Sequence, residues 1–309
     1  MSSLAEQLGY HAEDRLLLVN ADDYGLCHSV NIAVQEMLEL GAVSSATVMM
    51  PCAWAYEAAK WSAQHPQYDV GVHLTFTSEW DPYRWGPVTR SGDVSSLVTA
   101  EGYFPSDCRS VEVAADAAQL KQEMTNQIEM AISLGMNPTH ADNHMGSLYG
   151  LQTGRHFLAE VLDICAEYGL PFRLPRYVLQ ENGSIAPPDM QEQARQVAAL
   201  ADAKGVVILD YLVGLPFALG DGETYDALKQ EMSALLGNLH AGVTELIIHP
   251  SQVTDELRSF HREPEKRGME HRLFMDEDIK KVLQKEGIRI IKWRELQSLQ
   301  RSRSNQAKS

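Results

Sequence analysis

The sequence predicts an α/β protein, built as a distorted (β/α) barrel of the TIM-barrel type, and three observations support this prediction. Short apolar runs alternate with amphipathic stretches along most of the 309 residues. Ionisable residues follow several of these runs directly, at the position where a barrel carries its active site. The first run lacks the glycine-rich phosphate loop that an open doubly wound sheet normally has there.

Eight apolar runs, each bounded by turn residues, have the length and continuity of buried parallel strands. In chain order they are Arg15–Asn20, Ser45–Met49, Asp69–Phe76, Thr139–Asp142, Pro171–Leu174, Val206–Asp210, Leu246–His249 and Ile288–Ile291. The first run leads into Asp22 and Asp23, so carboxylates stand where a dinucleotide-binding sheet would place glycines. We therefore expect a closed barrel rather than an open doubly wound sheet.

Six amphipathic stretches predict helices that pack around the barrel. They are Val30–Leu40, Ala114–Leu134, Arg155–Tyr168, Asp189–Ala203, Thr224–Leu239 and Asp276–Glu286. Two longer stretches interrupt the alternation: residues 77–107, expected to form an elaborated loop over the barrel mouth, and the glycine-rich residues 212–223. We expect a single domain over residues 1–297 and a poorly ordered tail over residues 298–309.

Composition argues against several classes of partner. The chain has 26 basic and 42 acidic residues, and its formal net charge of −16 disfavours binding to nucleic acid or to an anionic membrane surface. No apolar run approaches the roughly 18 residues that a membrane span needs, and the N-terminus lacks the pattern of a secretory signal. We expect a soluble, cytoplasmic protein that acts on a small molecule.

The cysteines indicate neither a disulfide framework nor a thiolate metal site. Cys27, Cys52, Cys108 and Cys165 are scattered without a C-x-x-C pair. None has the neighbours of an activated nucleophile, and Gly146-Ser147 is not part of a G-x-S-x-G elbow. A covalent acyl-enzyme is therefore disfavoured, and we expect reduced, mostly buried thiols.

Ionisable side chains follow or end four of the predicted strands. They are Asp22 and Asp23 after the first strand, His73 in the third, the segment His140–His144 (HADNH) in and just after the fourth, and His249 at the end of the seventh. A lone histidine near an apolar run is more often a core or capping residue than a metal ligand. Four such strand ends together predict a metal site, because two imidazoles and a carboxylate hold a divalent cation with positions open for water and substrate.

The adjacent carboxylates Asp22 and Asp23 suit a division of labour, because successive residues near a strand end point in different directions. One is then free to bind a metal while the other accepts a proton. The alternative for Asp23 is a helix cap, but Ser29 already lies at a suitable N-cap position for the next helix.

His140, Asp142 and His144 alternate in an extended segment, so we expect them to line one pocket. For His140 and Asp142 we favour a supporting role, in which a hydrogen bond fixes the tautomer of a metal-binding histidine. Arg173, in the fifth run, is expected to support the site or to bind substrate.

Five motifs, in order along the chain, carry a resemblance to a known family. They are VNADDYG at residues 19–25 with Val30-Asn31, GAVSSAT at 41–47, GVHLT at 71–75, PTHADNH at 138–144, and His249-Pro250. In these motifs the chain resembles the YdjC-like carbohydrate deacetylases, a family that includes chitooligosaccharide deacetylases and hopanoid-intermediate deacetylases. The resemblance spans about residues 15–295, nearly the whole chain.

The resemblance implies a distorted barrel with a metal ion held by Asp23, His73 and His144. A carboxylate with two imidazoles accepts zinc, iron, cobalt or manganese, and magnesium if waters fill the remaining positions, so the identity of this one divalent ion stays open, with zinc or magnesium favoured. The resemblance also implies that Asp22 is the general base and His249 the general acid in the hydrolysis of an N-acetylated sugar, a small-molecule substrate. After His144 the better-known members continue with more histidines, whereas this chain has MGSLYG at residues 145–150, which changes the neighbouring pocket. A homodimer is a further expectation for a family of this kind.

The aromatic residues Trp80, Tyr83 and Trp85 in the loop 77–107 are predicted to stack on sugar faces, with packing as a lid as the alternative. Two other functions would use the same site. A two-histidine, one-carboxylate set also serves iron(II) oxygenases, which turn over only with oxygen and a 2-oxo acid. A non-catalytic sugar-binding protein with a structural metal would have little use for Asp22 or His249.

Overall fold

Nine strands form a single parallel sheet in the computed structural model, which describes residues 2–180, 183–188 and 191–308. In chain order the strands are β1 Arg15–Tyr24, β2 Ser45–Val48, β3 Asp69–Leu74, β4 Ala141–Asn143, β5 Phe172–Pro175, β6 Ile208–Leu209, β7 Tyr211–Gly214, β8 Gly242–Ile248 and β9 Arg289–Ile290. Each of the eight predicted runs overlaps one of these strands. The continuous hydrophobic pattern predicted them well because both faces of most strands are buried.

The sheet closes on itself through one short stretch of chain. The strand order is β6-β5-β4-β3-β2-β1-β8-β7, and its two ends, β6 and β7, are separated in sequence by Asp210 alone. Because β6 pairs with β5 and β7 pairs with β8, residues 208–214 join both edges of the sheet. The predicted distorted barrel is confirmed and the open sheet is excluded. The strand β7 was not predicted, because it is short and only its first residue is fully buried.

Helices surround the sheet. In the described residues they are α1 Leu4–Gln7, α2 His28–Glu39, α3 Ala55–Gln64, α4 Cys108–Ala114, α5 Ala117–Ser133, α6 Leu158–Tyr168, α7 Glu192–Lys204, α8 Tyr225–Gly237, α9 Asp255–Phe260, α10 Pro264–Leu273, α11 Glu277–Lys285 and α12 Trp293–Lys308. The six predicted helices correspond to α2, α5, α6, α7, α8 and α11, although residues 189 and 190, the predicted start of α7, lie outside the described residues. None of the described helices is long and apolar enough to cross a membrane.

Helix α12 continues through residues 298–308, where the composition predicted a poorly ordered tail; Ser309 lies outside the described residues. The buried Gln300 explains the difference. Its side chain accepts a hydrogen bond from the Val207 amide at 2.8 Å and donates to the carbonyl oxygens of Cys165 and Leu170. These bonds satisfy backbone groups of α6 and of the residues just before β5 and β6, and so hold the first part of this segment against the barrel.

The interior of the barrel changes from apolar to polar along β1. Leu16 and Leu18 pack inside the barrel with Trp293, whereas Leu17 belongs to the core shared with the surrounding helices. Because side chains alternate along a strand, Asn20 and Asp22 also point toward the interior. The carboxyl ends of the strands therefore surround a polar site that rests on an apolar base.

Candidate metal centre

Three side chains from different strand ends face one another. The Asp23 Oδ1 atom lies 3.5 Å from Nε2 of His73 and 3.2 Å from Nδ1 of His144, and the two ring nitrogens lie 3.3 Å apart. All three residues are buried. One carboxylate oxygen and two imidazole nitrogens that face a common point form a set that could hold one metal ion.

The chemistry of Asp23 tests whether a metal fits. Its Oδ2 atom accepts a hydrogen bond from Arg267 at 2.5 Å, whereas its Oδ1 atom is buried and has no hydrogen-bond partner. An unpartnered buried oxygen is rare, because its desolvation is not compensated. The nitrogens that face Oδ1 are acceptors when they carry no proton, so a divalent cation is the partner that suits all three atoms.

An irregular backbone at the end of β1 separates the two aspartates. The register between β1 and β2 shifts between Ala21 and Tyr24, and Asp23 has a φ of +63°, in the left-handed region. Asp23 therefore turns toward the histidines, whereas Asp22 points into the barrel interior. Such a conformation costs a non-glycine residue about 1–3 kcal/mol and is typical of functional sites.

Arg173 holds three carboxylates together in the barrel interior. It donates to both oxygens of Asp22 at 2.7 Å and to Glu245 at 2.9 Å, and its Nη2 lies 2.7 Å from Asp142. Burial alone would raise the pKa of Asp22, but the charges of Arg173 and His73 outweigh it and hold that pKa well below its usual range. Asp22 is therefore ionised at neutral pH.

In each of the two metal-facing histidines, a carboxylate contacts the ring nitrogen that does not face Asp23. Asp142 Oδ1 is 2.6 Å from Nδ1 of His73, and the Glu79 carboxylate is 3.1 Å from Nε2 of His144. An imidazole that donates one N–H to a carboxylate presents its other nitrogen in a fixed tautomer. Asp142 was predicted for such a position from the sequence, whereas Glu79 was not, because it lies in the long loop 77–107 and outside every motif.

His140 does not contact the metal-facing atoms directly. Its ring stacks on Trp293 with centroids 4.5 Å apart, and its Nε2 lies 3.3 Å from the Asn20 side-chain oxygen. Asn20 in turn donates to Asp22 at 2.8 Å, so His140 contacts the site through Asn20. The neighbouring Gly71 is needed for this packing, because a Cβ there would lie 2.6 Å from the His140 carbonyl oxygen.

His249 follows β8 and is partly open to solvent, with 24% of its side chain exposed. Its backbone N–H donates to Glu270 at 2.5 Å, and its ring meets Phe217 edge to face with centroids 5.1 Å apart. Burial lowers the pKa of His249 to about 4, and the charges of Asp23 and Asp22 offset only part of this shift. His249 is therefore uncharged at neutral pH.

The rings of Trp80 and Trp85 are covered by protein. Trp80 is 7% exposed and Trp85 3%, their centroids lie 5.6 Å apart, and the Trp85 indole N–H donates to the Thr77 carbonyl at 2.7 Å. This packing favours the lid alternative over stacking on a sugar. The aromatic ring beside His249 that is open to solvent is Phe217, which is 49% exposed.

Residues 16–285 match the sequence model described as YdjC-like protein. The chain belongs to this family. Among YdjC-like relatives, the carbohydrate deacetylase of Thermoanaerobacter pseudethanolicus is 27% identical over 86% of this chain and 92% of its own length. The chitooligosaccharide deacetylase of Yersinia enterocolitica is 32% identical over 56% of this chain and 64% of its own length.

The YdjC-like chain also has a solved structural neighbour. The crystal structure of an Enterococcus faecalis protein superimposes with a TM-score of 0.71 at 23% identity, over 92% of this chain and 99% of that one. This similarity shows a shared fold. The family and the barrel predicted from the motifs are both confirmed.

Replacing Glu79 with glutamine should weaken metal binding by this YdjC-like protein about 10-fold to 100-fold. The amide keeps the shape of the side chain but places no negative charge beside Nε2 of His144. Titration of the metal-depleted protein against a competing chelator measures the affinity. Glu57→Gln, which removes a carboxylate 3.1 Å from His28, is the matched control and should leave the affinity unchanged. Similar losses in both variants would contradict the role given to Glu79.

Proposed function

We propose that this YdjC-like protein is a metal-dependent deacetylase that hydrolyses the N-acetyl group of a sugar. The observation that carries the proposal is the pairing of Asp23, which faces the two histidines, with the adjacent and ionised Asp22. A metal-binding group next to a separate proton acceptor is what hydrolysis by an activated water requires. The names of the relatives, carbohydrate deacetylase and chitooligosaccharide deacetylase, support the class of substrate.

Asp23, His73 and His144 would hold one divalent metal ion, zinc or magnesium. Such an ion supplies Lewis acidity, which polarises a carbonyl group and lowers the pKa of water. Two nitrogen donors in a set of three favour zinc, because magnesium prefers oxygen ligands.

Asp22 and His249 carry out the proton transfers. Water adds to the acyl carbon and gives a proton to Asp22; the C–N bond then breaks, and the amine leaves with a proton delivered by His249. Acetate and a free amino sugar are the products. Because His249 is uncharged in the resting enzyme, it must receive a proton before it donates one, and we propose that Asp22 supplies the proton it has taken from water. Arg173 makes Asp22 a weak base, so Asp22 passes the proton on readily.

Acetate release from a panel of N-acetylated sugars, measured with and without a chelator, tests the proposed function. We expect release that stops when the metal is removed and returns when zinc or magnesium is restored. An iron(II) oxygenase would instead require oxygen and a 2-oxo acid, and a sugar-binding protein would bind without releasing acetate. A fully metal-loaded protein that released no acetate from any of these sugars would contradict the proposal.

We further propose a cytoplasmic enzyme with one catalytic domain. Cys27, Cys52, Cys108 and Cys165 are free thiols, which suits a reducing compartment. The sheet supports a single domain, because its last strand along the chain, β9, pairs directly with its first, β1. The expected homodimer is a prediction that light scattering of the purified protein tests.

Replacing His249 with alanine should slow the hydrolysis of N-acetylated sugars about 10²-fold to 10⁴-fold. An activated acetate ester should be affected far less, because its leaving group departs without a proton. Turnover numbers on both substrates, at saturating metal, measure the contrast. Equal losses on the two substrates would show that the His249 ring supports the structure through its contact with Phe217, or stabilises the oxyanion, rather than serving the leaving amine.

A further inference from the structure

Arg267 is a buried cation with one donor nitrogen left over. It lies on α10, is 1% exposed, and donates from Nη2 to Asp23 Oδ2 at 2.5 Å and from Nε to His261 at 2.8 Å. Its Nη1 is also buried, but it has no hydrogen-bond partner. An unpaired donor on a buried cation is costly, so Nη1 is expected to meet an acceptor from a ligand.

The guanidinium group is fixed in place on several sides. The ring centroids of Trp80 and Phe217 lie 5.7 Å and 5.6 Å from its central carbon, close enough for cation–π attraction. With Nη2 and Nε already engaged, the planar group has little freedom to turn. Phe217 also contacts the ring of His249, so Arg267 lies near both the metal-facing carboxylate and the proton donor of the proposed reaction.

The two unpaired atoms of the Asp23–Arg267 ion pair have complementary preferences. Asp23 Oδ1 is an acceptor that suits a cation, and Arg267 Nη1 is a donor that suits an oxygen carrying negative charge. In the hydrolysis of an N-acetyl group, the acyl oxygen gains such a charge when water adds to the acyl carbon. This oxygen would satisfy Nη1 at the moment when its charge is greatest.

We propose that Nη1 of Arg267 donates a hydrogen bond to the acyl oxygen of the N-acetyl group and stabilises the oxyanion. The inference rests on the proposed function and names the residue that recognises the acetyl group. Arg267 transfers no proton; when the C–N bond breaks, the oxyanion becomes part of the acetate carboxylate. A preorganised donor of this kind typically contributes about 10²-fold to 10³-fold to the rate.

Arg267→Lys is the decisive variant, because lysine keeps a positive charge beside Asp23 but has no planar fork that serves two oxygens at once. We expect it to hold as much metal as the wild type, by elemental analysis. Its turnover should fall about 10²-fold to 10³-fold on an N-acetylated sugar and on an activated acetate ester alike, since both reactions form the same oxyanion. This equality separates Arg267 from His249, whose loss should spare the ester.

Two further measurements distinguish direct contact from a purely structural role. Guanidinium chloride at millimolar concentration should restore part of the activity of Arg267→Ala and none of that of His249→Ala. Acetate, titrated calorimetrically into the metal-loaded protein, should bind at least about 10-fold more weakly to Arg267→Lys, as expected for a lost charge-assisted hydrogen bond. Arg258→Lys, on α9 and ion-paired to Glu265 at the surface, is the matched control and should bind acetate as the wild type does.

The inference is wrong if Arg267→Lys loses metal in step with activity, binds acetate normally, or is impaired on the amide alone. The failure of the proposed function would look different. A wild type that hydrolysed the ester in an Arg267-dependent way, yet released acetate from no N-acetylated sugar, would contradict the substrate class and support the role of Arg267.

Discussion

Alanine in place of Asp23, His73 or His144 should remove bound metal and activity together, with losses of more than about 100-fold. Removing residues that merely support metal ligands already costs 10-fold to 100-fold, and these three residues supply the atoms that face one another within 3.5 Å. An open site with three protein ligands loses much of its binding free energy with any one of them. Metal content after dialysis and acetate release, measured on the same samples, check this result.

His140→Ala provides the comparison within the same motif. His140 contacts Asn20 and Trp293 rather than the metal-facing atoms, so we expect this variant to keep its metal and most of its activity. A site that emptied in His140→Ala but stayed full in His144→Ala would overturn the assignment of the ligands.

Asp22→Asn should keep its metal and lose turnover by about 10²-fold to 10⁴-fold, because an amide cannot accept the proton from water. The structure adds a second consequence. Both Asp22 oxygens accept hydrogen bonds from Arg173, and the amide NH₂ group would face one of those donors. Breaking a buried ion pair in this way costs about 3–5 kcal/mol, so the variant should also unfold at a lower temperature.

Asp142→Asn is the matched control for Asp22→Asn, because both aspartates contact Arg173. Asp142 lies behind His73, so its loss should weaken metal binding while turnover at saturating metal recovers. Near-native turnover of Asp22→Asn at saturating substrate would exclude Asp22 from the chemistry and leave it a structural partner of Arg173.

The strands were predictable because their signal is local. Residues 69–74 and 242–248 are almost wholly buried, and burial on both faces requires the apolar runs that the sequence displays. The same runs located Asp22, Asp23 and His73, since a barrel places functional residues where strands end. Family motifs then added the ligand set.

Partners of buried charges were harder to predict, because they lie far apart in sequence. Arg267 is 244 residues from Asp23, and its helix α10 buries Lys266, Arg267 and Glu270 where a hydrophobic stripe would normally indicate the inner face. One of these buried ion pairs was indicated by the sequence. Glu245 interrupts an otherwise uncharged strand, and a carboxylate at such a position needs a buried cation, which is Arg173.

The two residues with a left-handed backbone at the metal centre should respond differently to selection for heat resistance. In the described part of the chain, the non-glycine residues with positive φ are Asp23 at +63° and Met145 at +55°, the latter next to His144. Glycine adopts this conformation without strain, so a library selected only for survival at high temperature should accumulate glycine at position 145. At position 145 the side chain is 48% exposed, and the enzyme should tolerate the exchange. At position 23 glycine would relieve about 1–3 kcal/mol of strain but would leave Arg267 a buried cation without its carboxylate, at a cost of about 3–5 kcal/mol, so the aspartate should persist whether or not turnover is selected.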